Sequence, residues 1–531
     1  MGIRNAVDQH QTLLSALLVL GLALATSPAP AATLVASGGS ASNPVVAALP
    51  DGGWAIAWEA MIPSGFTQIR VRFLESSGTP RGWEWSYPWG GFFAGRPRLA
   101  VGENGQVLVV FWGGRYGVSS LFGQLFTPSG APLGDSRNLL GQVPAWTLGS
   151  YDAVSRPGAG WFVAWTEVQG DPSSPAAIRA LALDVEGAPA GSPRTLSPPD
   201  GASHADPTLA RRPDGIVAAW LRTLAEPTEE GSSLTSSVVA RRLEAEGEPL
   251  DAVVPIRIQD GSSQRDQAPA LSSAGGSEGR AAWFAVADAT HVPTLRTRRL
   301  LEGTPAGNML ELAALASGAE VARPVLAADL RGRFLASWTE PDPDHPNPSS
   351  AHRLVVQQFG PDAAPLGAKR IVASSRSSSP GVAIQGDSKW ALAWAETAGG
   401  ESQIWAEVGA FANGCEPTGT SLCLSGGRFR VEAEWQDHGG GQGAGHTRPL
   451  AADSGAFWFF GPENVELVVK VLDACTLPAF HSYWVFAAGL TDVGVELTVT
   501  DTATGEAWTY HNPRGRAFPP VQDTAALRVC P

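Results

Sequence analysis

The sequence predicts an all-β chain: a seven-bladed β-propeller over residues 33–412, followed by a small disulfide-containing β-sandwich over residues 413–531. Three observations lead there. A motif recurs in which an apolar run, a Gly/Asp turn and a second apolar run end in Trp, as in Pro44–Trp58, Pro207–Trp220, Pro324–Trp338 and Pro380–Trp394. Trp58, Trp112, Trp165, Trp220, Trp283, Trp338 and Trp394 are spaced 54, 53, 55, 63, 55 and 56 residues apart, a near-constant period that marks a repeat architecture. Each period holds four strand-length runs without helical periodicity, which describes one blade.

Within a period the first run starts at a proline (Pro44, Pro97, Pro207, Pro269, Pro324) and the second ends at the Trp. The third alternates apolar and polar residues, as in Gln68–Phe73, Ala177–Leu181 and Leu354–Phe359, the pattern of a half-buried strand. A Pro-x-Gly turn is expected next (Pro80–Gly82, Pro132–Gly134, Pro189–Gly191, Pro305–Gly307, Pro365–Gly367), then the fourth run, such as Arg194–Leu196 or Lys369–Ala373. The seventh repeat runs into Asn413-Gly414-Cys415 with neither this turn nor a fourth strand. Thr33–Ser37 resembles the missing piece, so the N-terminal strand is expected to close the last blade.

Residues 1–31 read as a signal peptide, with Arg4 in the n-region, an apolar Leu13–Ala25 and a small-x-small cleavage site at Ala29-Pro30-Ala31. The apolar run is short for a membrane span, and no later segment is apolar enough to be one. The expected location is therefore secreted, extracellular or periplasmic. The net charge of −14 argues against a nucleic-acid partner, which needs clustered Lys/Arg. No cofactor is expected, and the chain is expected to act as a monomer.

All four cysteines, Cys415, Cys423, Cys475 and Cys530, lie in the last quarter. An even number in an exported chain suggests two disulfides. Three pairings are possible, and Cys415–Cys423 with Cys475–Cys530 is favoured. Around them, Gly427–Trp435, Phe457–Phe460, Val465–Leu472, Trp484–Ala487 and Val495–Thr500 read as strands.

On these residues, 33–412 resemble a secreted bacterial seven-bladed β-propeller. Pro50–Trp54 and Pro213–Gly215 sit in the turn where sialidase-type propellers carry an Asp-box, but the Ser/Thr-x-Asp-x-Gly-x-Thr-Trp pattern is not met. Gly427–Glu432, Asp453–Phe460 and Leu497–Gly505 resemble a module found at the C-termini of secreted bacterial proteins. That resemblance implies fold and export and no particular chemistry.

Candidate ligand-binding residues are the carboxylates just past the repeating Trp, Glu59, Glu167, Glu340 and Glu396, which equivalent positions would gather on one face. A ring of carboxylates could hold a polar ligand or act in acid/base hydrolysis. Recurrence by duplication favours an exposed strand-end residue instead. Arg70, Arg72, Arg179, Arg241, Arg298 and Gln357 fall on third strands and read as an outward polar face. The loop Trp83–Trp89 offers aromatics for stacking on sugars or, the preferred reading, for packing between blades. His438–His446 reads as a hairpin loop without a third metal ligand, and Asp342–Asn347 lacks the Gly and Glu of an EF-hand. No nucleophile or zinc-protease motif occurs.

The function expected is therefore that of an exported, non-catalytic binding protein presenting loops to a protein or glycan. The alternative is an extracellular polysaccharide hydrolase or lyase with its site in the funnel.

Overall fold

The computed structural model describes residues 32–36, 40–87, 93–158, 160–228, 231–257, 264–273, 278–329, 331–343, 352–366, 368–374, 380–386, 389–398, 401–411, 415, 417–451, 453–475, 477, 480–502 and 505–530. The expected signal peptide and the residue 412/413 boundary lie outside them. The described chain is all-β. It holds no α-helix, one short 3-10 turn at Ser425–Gly427, and several sheets that do not close into a barrel. No described helix is long and apolar enough to cross a membrane.

Residues 33–410 form antiparallel units in which each strand pairs with the next. Unit 1 is Ser40–Ala48, Trp54–Met61, Thr67–Leu74 and Pro80–Ser86; unit 4 is Ser203–Arg212, Gly215–Thr228, Gly231–Leu243 and Val254–Pro255. Unit 2 starts at Phe93, unit 3 at Leu148, unit 5 at Gln264, unit 6 at Val325 and unit 7 at Gly381. Among the described residues unit 7 supplies three strands, ending with Glu401–Ala410, and its fourth place is taken by Thr33–Ala36, paired Thr33 to Ala406 and Leu34 to Trp405. The N-terminal strand thus completes the last unit.

Hydrophobic burial explains why the units stack. Their buried side chains fall into clusters that each lie between two consecutive units. One further cluster joins unit 7 to unit 1 through Val35, Trp58, Ala393 and Ile404. Each fully buried large side chain contributes on the order of 2–3 kcal/mol, and no unit could bury its two apolar faces alone. The first strands follow the same order, each neighbouring the next, with Gly381–Gln385 beside Ser40–Ala48.

Two details differ from the sequence expectation. In unit 2 the inner-strand register places Phe111, not Trp112, at the repeating aromatic position: Val110 faces Arg98 as Ala57 faces Val45. A one-residue slip changes the face, so Phe111 is buried between units 1 and 2 while Trp112 is half-buried. The turn between third and fourth strands is made upstream of the Pro-x-Gly, by Gly78, Gly130, Gly187, Gly247 and Gly303, all at φ between 73° and 93°. The Pro-x-Gly instead opens the fourth strand, where Gly82, Gly134 and Gly307 lie at φ 65–68° beside register shifts. These are bulges, which need glycine for the left-handed backbone.

The remaining chain forms two five-stranded sheets. One is built on Phe429–Gln436 and Gly494–Asp501, the other on Leu467–Asp473 and Tyr483–Gly489, and both face one core that includes Phe429, Val431, Phe457, Val469, Val485 and Leu497. Both disulfides are present, Cys415–Cys423 and Cys475–Cys530, the favoured pairing. They close sequence separations of 8 and 55 residues. Loop-closure entropy ranks them at roughly 2.5 and 4 kcal/mol. Replacing Cys475 and Cys530 by Ala is therefore expected to lower the melting transition of these sheets far more than replacing Cys415 and Cys423. Calorimetry of the two variants checks the order.

Candidate functional site

The four predicted carboxylates do not share a position. Glu59 stands one residue past its Trp, whereas Glu167, Glu340 and Glu396 stand two past, and neighbouring strand residues point to opposite faces. Glu59 accepts from Asn43 Nδ2 at 2.8 Å and from the backbone N–H of Arg96 in the next unit. Glu167 accepts the indole N–H of Trp165 at 2.8 Å. Glu340 is buried and held by Arg353 at 2.7 Å and Lys369 at 3.1 Å. Glu396 is half-buried, with no hydrogen-bond or ion-pair partner among the described residues. The one-residue offset puts Glu59 on the opposite face of its own sheet from the register the other three hold, while all four stay toward the same end of the second strand.

The third-strand arginines are likewise more than a polar outer face. Arg72, Arg241 and Arg298 occupy equivalent registers and reach back to the fourth strand of the preceding unit, onto the carbonyls of Val35, Leu196 and Ile256 at 2.5, 2.7 and 2.6 Å. At the same register in unit 7, Glu407 takes two bonds from Arg370 of unit 6, at 2.9 and 2.7 Å. These staples join neighbours, and the Arg72–Val35 bond makes the same junction between units 1 and 7. In the aromatic loop, Trp85 and Tyr87 pack against Phe126 and Phe111, whereas Trp83 is 95% exposed. Trp89 lies outside the described residues.

Sequence reasoning missed the inner strands. Asn43, Arg96 and Asp206 precede Pro44, Pro97 and Pro207 and hold left-handed φ values of 50–56°, each at a register shift with its second strand. Such bulges turn backbone groups out of the ladder. Arg323, which precedes Pro324 in unit 6, binds the carbonyls so exposed: Nε to Pro269 O at 2.6 Å and an Nη to Pro207 O at 3.0 Å. Burial, then the charge of Arg98, lowers its pKa, and the carboxylates of Asp152 and Asp206 oppose this. Arg323 of unit 6 thus reaches the backbone of units 4 and 5, with the charges of Arg98, Asp152 and Asp206 around it. A signal existed in the sequence: charged residues flanking a repeated proline in an otherwise apolar strand.

Toward the far ends of the same strands lies a cavity of about 770 Å³ lined from all seven units, including Asp51, Glu103, Ser155, Arg211, Ser272 and Gln385. Arg211 of unit 4 pairs with Glu103 of unit 2. Asp51 is held by Arg81 at 2.8 Å and by the Gly53 N–H at 2.9 Å. Guanidinium, carboxylate, amide and hydroxyl groups therefore stand on walls of small residues. No group of three metal-ligating side chains occurs among the described residues.

Two buried titratable groups serve the repeat itself. His204 Nδ1 accepts the Trp220 indole N–H at 2.9 Å, which leaves Nε2 to donate to Asp200 at 3.0 Å. Asp266 accepts the Trp283 indole N–H at 3.1 Å and the Val238 N–H at 3.1 Å. Burial raises Asp266 to about 6, against those hydrogen bonds and Arg257. A folded pKa raised above the ordinary 3.8 stabilises fully below 3.8 and is lost as pH rises through about 6. Burial depresses His204, so its contribution is present above 6.5 and is lost as pH falls. Between pH 4 and 7 the Asp266 share is expected to fall by roughly 2.5 kcal/mol. Urea unfolding of Asp266→Asn beside the native chain tests this. A stability difference that does not change with pH would rule it out.

No protein-family model matches the chain, and no curated protein matches it. Solved structures with similar folds include a polysaccharide lyase, an ulvan lyase, at 12% identity and TM-score 0.43, covering 72% of this chain and 97% of that one. An α-L-arabinofuranosidase from Fusarium graminearum is 11% identical, with TM-score 0.38 and coverage of 60% and 93%. A protein of unknown function from Dyadobacter fermentans is 9% identical, with TM-score 0.39 and coverage of 72% and 98%. At these values the likenesses carry no argument about chemistry.

Proposed function

We propose that the chain is an exported glycan-binding protein. Its seven units are the blades of a β-propeller closed by Thr33–Ala36, its last sheets form a β-sandwich beginning near residue 413, and its ligand enters the passage between the inner strands. One observation carries the reading: a single 770 Å³ cavity receives lining residues from every unit, as an axial funnel would. Its polar groups are varied and mounted on rigid strands, which suits a polyhydroxylated ligand better than an apolar one. The two disulfides and the leader expected over residues 1–31 support export.

Cleavage of the bound chain, by hydrolysis or elimination, is the second reading. It is favoured by Asp206, whose carboxylate has no hydrogen-bond partner among the described residues and acts on the same Arg323 as Asp152 does. A glycan array probed with residues 32–531, with product analysis on each hit, tests both. Saturable binding without products supports recognition, and released oligosaccharide supports catalysis with Asp206 and Asp152 as the acids to replace. No glycan bound on a broad array rejects the glycan reading.

A further inference from the structure

We infer that the glycan is acidic, and that Arg98 and Arg323 hold its carboxylate or sulfate groups; this rests on the glycan reading above. Neither guanidinium has a carboxylate within ion-pair distance among the described residues, in contrast to Arg70, Arg81, Arg211 and Arg222. Arg98 donates to the carbonyl of its neighbour Pro97 at 2.9 Å, and its other N–H groups make no protein hydrogen bond. Arg323 uses Nε and one Nη on backbone carbonyls, which fixes its plane and leaves the second Nη. None of the leftover nitrogens of either residue is buried without a partner, so they open onto solvent.

The geometry puts both on the passage. Arg98 lies on the inner strand Phe93–Val101, three residues before Val101 of the cavity wall, and Arg323 lies four before Ala327 of the same wall. At about 3.3 Å per strand residue, both are on the order of 10–13 Å below the cavity, within the span of a few sugar rings. Burial, and after it the charge of Arg98, lowers the pKa of Arg323. Asp152 does not neutralise either by contact, because its carboxylate accepts the Leu209 and Ala153 N–H groups at 2.8 and 2.9 Å. A guanidinium with free, oriented donors matches a carboxylate or sulfate in a two-point contact. The carboxylates of Asp152 and Asp206 then restrict entry to ligands whose anionic group reaches the arginines, since misplaced charge meets repulsion.

The test is calorimetric titration of the mature chain with oligogalacturonate, a sulfated galactan oligosaccharide and a neutral dextran oligosaccharide. Binding of one or both anionic ligands at least tenfold tighter than dextran, weakened at least tenfold in Arg98→Gln and decreasing with salt, is the expected result. Which anion binds separates uronate from sulfate. Arg323→Gln loses its bonds to the Pro269 and Pro207 carbonyls, so it is interpreted only alongside its melting curve, whereas Arg98→Gln removes one local bond. Dextran binding as tightly as the anions, or Arg98→Gln binding unchanged, overturns this inference while leaving the glycan reading intact. Failure of all three ligands together with an empty glycan array overturns both.

Discussion

Replacing Arg428 by Met is expected to destabilise the C-terminal sheets by roughly 3–5 kcal/mol, because it strips a buried ion-pair network of its cation. Arg428 is 2% exposed. Its guanidinium donates to Tyr483 Oη at 2.6 Å, Val529 O at 2.5 Å, Asp501 at 3.3–3.4 Å and, in unit 6's outer turn, Pro365 O at 3.4 Å. Asp501, fully buried, would lose the Arg428 ion pair, and the Tyr483 hydroxyl, already pushed up by burial, would lose the bond it accepts from Arg428. Urea unfolding followed by near-ultraviolet dichroism measures the effect. Arg428→Met combined with Asp501→Leu should recover much of the loss, since well-packed apolar pairs can replace buried ions at little net cost. A single variant that unfolds with the native midpoint would show that the network contributes little. The same variants probe attachment of these sheets to unit 6, because Arg428 carries a bond across that contact.

Removal of residues 32–36 is expected to cost roughly 3–6 kcal/mol and to make the protein self-associate. Val35 is 1% exposed, and its burial accounts for about 2 kcal/mol. The strand's hydrogen bonds to Glu401–Ala410 and the Arg72 staple on Val35 O add about 1 kcal/mol each. The exposed edge of Glu401–Ala410 would then be open to pairing with another chain. Light scattering and thermal melting read both effects, and a synthetic peptide of residues 32–40 should reverse them. A truncated chain that stays monomeric with an unchanged melting point would show that unit 7 does not need its borrowed strand.

The repeat was legible because duplication preserves what packing requires: a buried aromatic, a turn glycine, an alternating third strand. The borrowed strand was legible for the same reason, as one unit came up short. Register was less so. Phe111 and Trp112 are adjacent and both aromatic, and only the pairing partner of each decides which faces the neighbouring unit. The Glu59 offset of one residue was visible in the sequence, yet its consequence depends on strand alternation, which places it on the opposite face from Glu167. Arg72, Arg241 and Arg298 alternated as an outward row should, but a long side chain on a twisted sheet reaches the adjacent unit. The charges around Arg323, those of Arg98, Asp152 and Asp206, were hidden because they come from three other units and no single copy of the repeat contains two of them.

Pairing of Leu34 with Trp405 also fixes an order of events. Joining residues about 370 apart carries a loop-closure entropy of about 5 kcal/mol, so this contact forms late, after the intervening units have shortened the effective loop. Residues 33–36 are thus among the last to be placed. Until the third strand of unit 7 is made, Thr33–Ala36 has no strand to pair with, and under the export proposed above these residues would cross a translocation pore without first breaking a completed fold. Folding rate should accordingly depend on when residues 401–410 become available, and hardly at all on the time since Thr33 emerged.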